Sequence, residues 1–531
     1  MITTFRIRNL RSIKDSGEIP LTRLTVLVGK NSAGKSTLLR VLPLLRQSAE
    51  RPTKGPILWY GRFVDFGNFK NAVNSENPND GVTFEFTLTI PGKIGHERTL
   101  GTVDFFENIE ASSLYATLEA VKVRLTVGQG ENDESGKARG VSVTFGTDEL
   151  TILFTDSASA SHSIDDVSII LNGRLIPAPE NRRWTRRPGK VLPIPSLLKL
   201  EKFESDGKLH QYWSRDVRPF STELSEEAAK LLLEGRYSGK SAEVMDRLLY
   251  ADKNQFYDQL VEIVSFSENL SRLIRLYEPN HPFITSIREL TLLANLPGIL
   301  NRIDDEIAQF SNSVKYIEPI RATAERYYRL QDLAVDEIDS RGENTAMYLN
   351  SLTVYQASNL RQWMESNLGF SAHVKSGSGH VQVFIKDEDG HDKNIADLGF
   401  GYSQLLPIIL QIWMVSNPFR SPERSAPIIA IEQPELHLHP QFQAQVADVL
   451  AGVTSKDPQG PKIFLETHSE HLVNRLGELI STGKLDRRNI QILVIDQAEN
   501  GTSTVIPVHF DENGYLDDSW PSGFFLPDFT R

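Results

Sequence analysis

A stretch of nine residues near the N-terminus constrains this chain more than any other feature. It fits the pattern G-x-x-x-x-G-K-S/T, and it lies between the apolar runs 24–28 and 38–42. Strand, glycine-rich loop and helix in this order form a loop whose backbone N–H groups face the phosphates of a nucleotide. The alternative is an ordinary glycine-rich turn before a helix. The candidate phosphate-binding residues are Gly29, Lys30, Asn31, Ser32, Ala33, Gly34, Lys35, Ser36 and Thr37.

The side chains of this loop indicate which ligands to expect. Lys35 supplies a positive charge for the β- and γ-phosphates, and the hydroxyl of Ser36 is a suitable Mg²⁺ ligand. An acidic partner is expected at the end of a neighbouring strand, where it holds Mg²⁺ or its water shell. The apolar run 427–431 ends in Glu432 and fits that role. We therefore expect a nucleotide and Mg²⁺ as ligands.

Composition narrows the class of protein. The chain has 531 residues, which is enough for two to four domains, and a net charge of −12, so bulk electrostatics do not draw it onto nucleic acid. It has no cysteine, which excludes disulfides, thiolate zinc sites, iron–sulfur clusters and cysteine nucleophiles, and which suits a cytoplasmic location. No apolar run approaches the length of about 20 residues that a membrane span needs.

The order of patterns predicts an α/β nucleotide-binding core that is interrupted by a long insertion. We see no internal repeat in the sequence. The predicted parts are an N-terminal ATPase lobe with a β-rich subdomain at 1–175, a mostly helical insertion at 176–375, a C-terminal ATPase lobe at 376–510 and a short C-terminal segment at 511–531.

Local patterns give finer expectations within these parts. Period-two alternation predicts strands at 82–90, 121–127 and 141–145, and the polar, glycine-rich stretch 128–140 is predicted to be a hairpin loop or a mobile linker. Residues 176–220 are rich in Pro and Arg and are expected to be irregular, and residues 222–345 are expected to be helical. Apolar residues spaced three and four apart predict a helix that packs on its own domain, being too short for a long coiled-coil arm: Leu300, Ile303, Ile307, Phe310, Val314 and Ile317.

Three blocks in the C-terminal half are candidates for the rest of a nucleotide site. The first follows Glu432 and runs to Pro440, and the second is a strand at 462–466 that leads into Thr467-His468-Ser469. A histidine at the end of a neighbouring strand can sense the γ-phosphate. The third is a glycine-rich turn at 397–404, in which Ser403 is expected to open an apolar helix whose N-terminus can dock on a phosphate.

Taken in this order, the blocks 29–37, 398–404, 432–440 and 467–469 resemble the ABC-type ATPase superfamily, and in particular its OLD-like and SMC-like members. The resemblance implies an ABC-type P-loop ATPase head that is split by a β-rich and helical insertion. It also implies that two heads pair head to tail, so that Gly401 and Ser403 of one head complete the ATP site of the other. The protein is then a dimer or a higher oligomer with itself.

Two positions depart from the pattern of these relatives. Gln433 stands where most of them have the Glu that polarises the attacking water, and an amide can orient water but cannot accept a proton as a general base. Glu435 is a candidate substitute, so slow or gated hydrolysis and ordinary turnover both stay open. Gly399 stands where a Ser is usual, and Ser403 is expected to take over its phosphate contact.

A narrower resemblance rests on residues 44–48, 64–69, 316–321 and 520–525. These segments resemble a bacterial group of ATPases, several of which belong to anti-phage defence operons, and they are most similar to the Septu ATPase subunits (PtuA) and their retron-associated forms. The resemblance implies a separate HNH nuclease as partner, as PtuB is for PtuA. For the retron forms it adds a reverse transcriptase with its msDNA.

Three functions are therefore open. In the first, the protein binds Mg·ATP at Lys35, Ser36, Gln47 and Glu432, with Gln433, Glu435 and His468 as the catalytic candidates, and it controls an effector nuclease. In the second, it is a nucleotide-loaded scaffold that cages a toxin. In the third, it is an SMC-like DNA-repair ATPase that clamps DNA, and the acidic balance and the missing coiled-coil arms weigh against that reading.

Two smaller signals have two interpretations each. The basic cluster 182–187 either contacts a nucleic-acid backbone, with Trp184 available to stack on a base, or is a solvated loop or an ion-pair partner for an acidic neighbour. The histidine pairs fit a transition-metal site by spacing, but they lie in blocks that nucleotide binding already explains: His437 with His439, and His468 with His471.

Overall fold

The computed structural model describes residues 1–51, 53, 55–92, 116–130, 133–155, 167–205, 208–216, 220–234, 248–331, 335–387, 389–416, 426–456, 460–498 and 501–521. These residues form one large sheet, two small sheets and flanking helices, which confirms the predicted α/β class. Within these ranges, no helix is both long enough and apolar enough to cross a bilayer. The second half of the predicted C-terminal segment, from residue 522 onward, lies outside the described residues.

The large sheet has 15 strands among the described residues, and ten of them come from the first part of the chain. These are β1 (Ile2–Leu10), β2 (Ile13–Asp15), β3 (Ile19–Pro20), β4 (Leu24–Gly29), β5 (Val82–Ile90), β6 (Leu118–Gly130), β7 (Asp133–Phe145), β8 (Asp148–Phe154), β9 (Val167–Leu171) and β10 (Arg174–Ile176).

The later strands build the two small sheets and complete the large one. The three-stranded sheet consists of β11 (Arg182–Pro188), β12 (Pro193–Ser205) and β13 (Lys208–Arg215). The next strand, β14 (Val314–Ile317), belongs to the large sheet. The four-stranded sheet consists of β15 (Tyr328–Arg329), β16 (Ser371–Gly377), β17 (His380–Lys386) and β18 (Asp392–Asn394). The large sheet is completed by β19 (Ile428–Glu432), β20 (Lys462–Glu466), β21 (Ile490–Gln497) and β22 (Ser503–Val508).

The helices pack around these sheets. They are α1 (Lys35–Leu39), α2 (Val41–Ala49), α3 (Phe69–Ala72), α4 (Ser221–Glu234), α5 (Lys253–Ile263), α6 (Glu268–Leu276), α7 (Pro282–Asn312), α8 (Thr345–Ser351), α9 (Val354–Leu368), α10 (Phe400–Ser416), α11 (Pro440–Lys456) and α12 (Glu470–Ser481).

Five parallel strands, in the order β21-β4-β20-β19-β14, form the part of the sheet that positions the candidate site. Successive residues of β4 alternate between two hydrophobic clusters, with Leu27 in one cluster and Val26 and Val28 in the other. Burial on both faces explains why these strands appear in the sequence as continuous apolar runs. Because the strands are parallel, their carboxyl ends meet at one edge, where ligands bind in open α/β sheets.

The other half of the large sheet is an antiparallel meander from β5 to β10, which confirms the strands predicted at 82–90, 121–127 and 141–145. The stretch 128–140 is mostly strand, so the mobile-linker interpretation is wrong: Val127 pairs with Ala138, and Gly128 pairs with Lys137. Register shifts between Thr126 and Val127 and between Gly128 and Gly130 break the alternation that would have revealed the strands. Residues 131 and 132, between β6 and β7, lie outside the described residues.

The stretch 176–220, which was expected to be irregular, instead holds the three antiparallel strands β11, β12 and β13. In β11, Trp184 is the one buried residue, and arginines and a threonine flank it in the sequence. A strand with a single buried residue gives no period-two signal. The prolines of β11 and β12 lie at the ends of these strands or near them, where a missing backbone N–H destabilises the strand pairing little.

Helices do fill much of the range 221–312, but the predicted apolar stripe ends earlier than expected. Leu300, Ile303, Ile307 and Phe310 lie on α7 and are buried there. Val314 and Ile317 instead belong to β14, which pairs in parallel with Ile428 to Ile431 of β19. Buried strand residues continued the helical spacing by coincidence, so part of the predicted insertion 176–375 is a strand of the central sheet.

A buried ion pair joins the antiparallel meander to the long helix α7. Asp148, at the start of β8, accepts a hydrogen bond of 2.6 Å from Arg288 Nη2 and one of 2.7 Å from the hydroxyl of Tyr250. All three side chains are at most 5% exposed. The carboxylate therefore ties three separate chain segments together in the interior, where a charge is tolerated only with such partners.

Candidate nucleotide-binding site

The glycine-rich loop follows β4 at the carboxyl edge of the sheet. Gly29 ends the strand, and a Cβ atom there would lie 2.2 Å from the carbonyl oxygen of Ile495 on β21. Gly34 precedes α1 with a φ of 103°, a conformation that an L side chain rarely adopts. Both glycines are therefore required by the backbone path. Ser32 also has a positive φ, of 65°, and turns of this kind leave successive N–H groups pointing into one concavity.

Lys35 begins α1, and its side chain is only 3% exposed. Its Nζ donates a hydrogen bond of 2.7 Å to the carbonyl oxygen of Lys30, which folds the amine back over the loop. Burial lowers the pKa of Lys35, although the charges of Glu466 and Glu435 oppose that shift. A desolvated cation beneath a loop of this shape is suited to a polyanion.

Ser36 contacts a carboxylate that the sequence did not lead us to assign. Its Oγ donates a hydrogen bond of 2.8 Å to Glu466 Oε1, at the end of β20. Burial raises the pKa of Glu466 to about 7, and the negative charge of Glu432 adds to the rise, against the hydrogen bond from Ser36 and the charge of Lys35. Because β20 lies between β4 and β19, this carboxylate stands between the loop and Glu432.

Glu432 ends β19 as predicted, but other side chains already engage both of its carboxylate oxygens. Arg40 Nε lies 2.7 Å from Oε1 and Arg40 Nη2 lies 2.8 Å from Oε2, and the hydroxyl of Tyr316 donates to Oε1 at 2.7 Å. Arg40 is available for this contact because it stands at the junction of α1 and α2. Pro43 has no N–H for the carbonyl of Leu39, and the first helix gives way there to the second.

The side-chain oxygens of Ser36 and Glu466 are suitable ligands for a hard divalent cation. Mg²⁺ takes oxygen ligands, typically one or two from carboxylates and hydroxyls of the protein, and completes its shell with water and phosphate. Ser36 Oγ and Glu466 Oε1 already lie 2.8 Å apart, and Glu466 Oε2 is buried without a hydrogen-bond partner among the described residues. An unpartnered buried carboxylate oxygen next to the loop is what a metal ligand looks like before metal binds.

Gln433 follows Glu432 in a left-handed conformation with a φ of 42°. Its N–H donates to the carbonyl of Glu466 at 2.9 Å, and Arg321 Nη2 lies 2.7 Å from the carbonyl oxygen of Glu432 and 3.4 Å from that of Gln433. Such a conformation costs on the order of 1 kcal/mol for a residue other than glycine and persists only where neighbours fix it. The turn is therefore rigid at the backbone.

Arg321 is itself unusual, because its side chain is 3% exposed and burial lowers its pKa to about 10. Its backbone N–H donates to Gln404 Oε1, and Gln404 Nε2 donates back to its carbonyl, both at 3.2 Å. The segment 316–321 thus connects the turn at Glu432 and Gln433, called the Glu432 turn below, to helix α10.

Glu435 and His468 come together, but not as an acid and a base facing each other. The carboxylate of Glu435 accepts hydrogen bonds from Thr467 Oγ1 at 2.9 Å and from the backbone N–H of His468 at 2.7 Å. Burial raises the pKa of Glu435. The ring of His468 is exposed, and partial desolvation and the charge of Lys35 lower its pKa. Glu435 therefore anchors the turn that carries His468, and both of its oxygens are in use.

The glycine-rich turn at 397–404 lies against the segment that follows β19. A Cβ atom on Gly401 would lie 3.4 Å from the carbonyl oxygen of His437, and the ring of Phe400 is 5.9 Å from that of His437. Helix α10 begins at Phe400, so the prediction that Ser403 opens it is wrong. Ser403 is buried in the first turn and donates to the carbonyl of Phe400 at 2.8 Å.

Gln47 lies on α2 with its amide fully engaged by backbone groups. Its Nε2 donates to the carbonyl oxygens of Leu58 and Val64, at 2.6 and 3.2 Å, and its Oε1 accepts from the N–H groups of Phe63 and Val64. In this conformation Gln47 organises the segment 58–64. Its assignment as a metal ligand stays a prediction, and it requires these bonds to be replaced.

The basic cluster 182–187 faces inward to a large extent. Arg182 forms an ion pair of 2.6 Å with Asp216, Arg183 lies over the ring of Trp213, and Arg187 bonds to Asn301. Trp184 is 3% exposed and packs against Phe220. The indole is therefore not available to stack on a base, and the ion-pair interpretation of the cluster is the one that fits. The four histidines singled out in the sequence, His437, His439, His468 and His471, are all exposed.

Sequence reasoning missed Arg40, Tyr316, Arg321 and Glu466. Glu466 carried the same signal as Glu432, an apolar strand that ends in a carboxylate, and its strand was recognised. Tyr316 and Arg321 belong to the segment 316–321, whose resemblance to the Septu ATPases implies no role for either side chain. Arg40 gave no signal, because nothing in the local sequence reveals a partner 392 residues away.

Comparison with known proteins gives one family and a set of solved structures. A family model described as an AAA ATPase domain matches residues 1–127 and 218–473, well over half of the chain. No curated protein sequence matches the chain at a significant level.

The solved structures include two SMC heads. The chain is similar to an SMC head domain with an extended coiled coil bound to the C-terminal domain of ScpA from Pyrococcus furiosus, at 11% identity, 96% coverage of both chains and a TM-score of 0.30. It is also similar to the SMC head domain from Thermotoga maritima, at 10% identity, 96% and 98% coverage and a TM-score of 0.31. Scores this low carry no inference about the function of this chain.

Proposed function

Because the chain belongs to the AAA ATPase domain family, we propose that it is an ABC-type P-loop ATPase that binds Mg·ATP at the carboxyl edge of its central sheet and hydrolyses it. The observation that carries this proposal is the convergence of buried Lys35 and Glu466 with half-buried Ser36 beneath a loop with positive-φ residues. A nucleotide's phosphates need the cation and the N–H groups, and its metal needs the oxygens.

In this proposal, each residue of the nucleotide site has a separate role. Lys35 gives up its bond to the Lys30 carbonyl and neutralises the β- and γ-phosphates. Ser36 is a metal ligand, and Glu432 and Glu466 supply the negative charge around it. Bound Mg²⁺ neutralises charge on the transferring phosphoryl group. His468, on the turn that Glu435 anchors, is the side chain that meets the γ-phosphate.

Hydrolysis is slow or gated in this proposal. Gln433 has no carboxylate for the attacking water, so it can only orient that water through its amide. Glu435 is a poor substitute base because Thr467 and His468 already bond to both of its oxygens. Proton removal then depends on the phosphate itself or on groups brought by another subunit.

ATP turnover tests the assigned site. Lys35→Ala removes the buried cation and is expected to abolish turnover, while Lys70→Ala, which changes an exposed lysine on α3, is expected to leave it unchanged. Equal turnover in the wild type and Lys35→Ala would show that hydrolysis, if present, occurs elsewhere.

We further propose that two heads pair head to tail, so that Gly401 and Ser403 of one subunit face the nucleotide of the other. In support, Gly399 has open space around it, and Phe400 is 60% exposed, so the start of this turn presents a free surface. Ser403 is buried in this conformation, so pairing has to expose it before it can reach a nucleotide. Within one subunit, Ser403 bonds to Phe400, and Gly401 packs near His437.

Mixing two inactive variants tests this pairing. Gly401→Arg blocks the turn, and Lys35→Ala disables the loop, so each is inactive alone. A mixed dimer has one intact site, and random pairing restores about a quarter of wild-type turnover because half of the dimers are mixed and each has one site of two. No recovery on mixing, with both variants folded, contradicts head-to-tail pairing.

At the level of the cell, we propose that the protein is the ATPase subunit of a bacterial anti-phage complex and regulates a separate HNH nuclease, with a reverse transcriptase and msDNA as further partners in a retron setting. The support is the resemblance of residues 44–48, 64–69 and 316–321 to the Septu ATPases. The first test is whether a neighbouring gene encodes an HNH protein, and the second is co-expression with that protein, followed by mass photometry and a nuclease assay. Two separate proteins, and nuclease activity indifferent to Lys35→Ala, would contradict the proposal.

The second candidate function is a nucleotide-loaded scaffold that cages a toxin, and Gln433 with its rigid turn favours it. The two functions differ in turnover. A scaffold retains bound ATP through purification and releases no phosphate, whereas a regulated ATPase releases phosphate once its partner or trigger is present. Direct clamping of DNA has less support, because the basic cluster is engaged within the protein and Trp184 is buried.

A further inference from the structure

Two neighbouring strands end in a glutamate at the same level of the sheet. Glu432 of β19 and Glu466 of β20 are register partners in the parallel ladder, and both are at most 2% exposed. The sequence pattern pointed to Glu432 as the acidic metal ligand. The environments of the two carboxylates differ, and that difference decides which of them is available to a cation.

Glu432 is fully occupied by the protein. Arg40 approaches both of its oxygens in a bidentate pair at 2.7 and 2.8 Å, and Tyr316 adds a third hydrogen bond. Bidentate arginine–carboxylate pairs are strong and geometrically specific, more so at a site this buried. Direct coordination by Glu432 would require the cation to displace a guanidinium that carries its own charge.

Glu466 has the opposite character. One oxygen accepts the Ser36 hydroxyl at 2.8 Å, and the other oxygen is buried with no hydrogen-bond partner among the described residues. Leaving a buried anionic oxygen without a partner is costly, and a bound cation removes that cost. The Ser36 hydroxyl can rotate its proton away and offer a lone pair to the same cation.

From this contrast we propose that Glu466, with Ser36, is the carboxylate that coordinates the nucleotide's Mg²⁺ directly, and that Glu432 is a positioning residue held by Arg40. The inference rests on the proposed nucleotide-binding function. One carboxylate and one hydroxyl leave room for phosphate oxygens and waters in the octahedral shell of Mg²⁺. The Glu432–Arg40 pair lies next to this site and fixes the position of the strand end.

Nucleotide affinity, measured with and without Mn²⁺ as a Mg²⁺ substitute, tests the assignment. A fluorescent ADP analogue is titrated with full-length protein in EDTA and again in Mn²⁺, and the ratio of the two affinities measures the metal's contribution. In Glu466→Gln this ratio is expected to fall about 10- to 100-fold, as for the loss of a metal-site group, with affinity in EDTA unchanged. Electron paramagnetic resonance of free Mn²⁺ measures the same loss without reference to activity.

Two comparison variants sharpen the test. Glu470→Gln changes an exposed glutamate at the start of α12 and is expected to keep the wild-type ratio. Glu432→Gln is expected to lower the ratio less than Glu466→Gln does. The assignment of Glu466 as the direct ligand is overturned if Glu466→Gln keeps the wild-type ratio of the two affinities. It is also overturned if Glu432→Gln lowers this ratio as much as Glu466→Gln does.

Should Glu466→Gln fail to fold, Glu466→Asp provides a second test. Its carboxylate is one methylene shorter, which favours the longer bonds of Ca²⁺ over those of Mg²⁺. The ratio of Mg²⁺ to Ca²⁺ affinity is expected to fall, and an unchanged ratio counts against direct coordination. Failure of the proposed function has a different signature, because the wild type would then bind no nucleotide in either buffer.

Discussion

Replacing Glu466 with glutamine should stabilise the metal-free protein at pH 8 much more than at pH 5. Burial and the neighbouring charge of Glu432 raise the pKa of Glu466 from 4.5 to about 7. A raised pKa means that the folded state disfavours the ionised carboxylate. The resulting penalty is absent well below pH 4.5, grows between pH 4.5 and 7, and is complete above pH 7.

The size of the effect follows from the shift. At roughly 1.4 kcal/mol per pKa unit, the full penalty is about 3 kcal/mol, and linkage gives about 0.8 kcal/mol at pH 5. The neutral amide escapes this penalty and keeps an oxygen that can accept the Ser36 hydrogen bond. The difference in unfolding free energy between variant and wild type should therefore grow by about 2 kcal/mol from pH 5 to pH 8.

Urea unfolding followed by circular dichroism, in EDTA and without nucleotide, measures this difference. Comparing the two proteins at both pH values cancels the titration of groups that do not interact with Glu466. Glu470→Gln, at an exposed position close by, serves as the control and should show no pH-dependent difference. If Glu466→Gln has the same effect at both pH values, or destabilises the protein more at pH 8, the reasoning about a buried ionised carboxylate is wrong.

Three further substitutions test other parts of the account. Asp148→Asn leaves the buried guanidinium of Arg288 without its carboxylate and should lower the unfolding free energy by about 3–5 kcal/mol. The urea midpoint measures this loss, and a loss below about 1 kcal/mol would contradict the role of this pair. Because Trp184 is buried, Trp184→Ala should lower the unfolding free energy by about 3–5 kcal/mol and leave any DNA binding in a filter assay unchanged. Weaker DNA binding at full stability would revive the nucleic-acid interpretation. A lysine at position 321 cannot reach the carbonyl oxygens of both Glu432 and Gln433, so Arg321→Lys should slow turnover by roughly 100-fold at an unchanged Kd for ATP. If the affinity for ATP falls as much as the turnover rate does, the defect lies in binding instead.

The sequence predicted those parts of the fold that depend on local signals. The loop at 29–37, the strand ending in Glu432 and the strand 462–466 are contiguous patterns, and each is found at its predicted position. The antiparallel strands at 82–90 and 121–127 were visible because one of their faces is buried and the other is partly exposed. Where a strand departs from that pattern, as β11 does with Trp184 alone, periodicity fails.

The arrangement of charges within the site was out of reach of the sequence. Arg40 and Glu432 are 392 residues apart, and only the order of the parallel strands brings them together. The same holds for Ser36 and Glu466, which are 430 residues apart. A sequence motif identifies which residue types are present, but which carboxylate is occupied by an arginine and which is left open is settled by packing.

Equilibrium binding of labelled ATP with Mg²⁺ to the purified protein tests the central claim most directly. The account predicts saturable binding at one nucleotide per chain, lost in Lys35→Ala and retained in Lys70→Ala, because only the first lysine is buried against the loop. Binding of ATP to Lys35→Ala with wild-type affinity would mean that the nucleotide site lies elsewhere or does not exist as described.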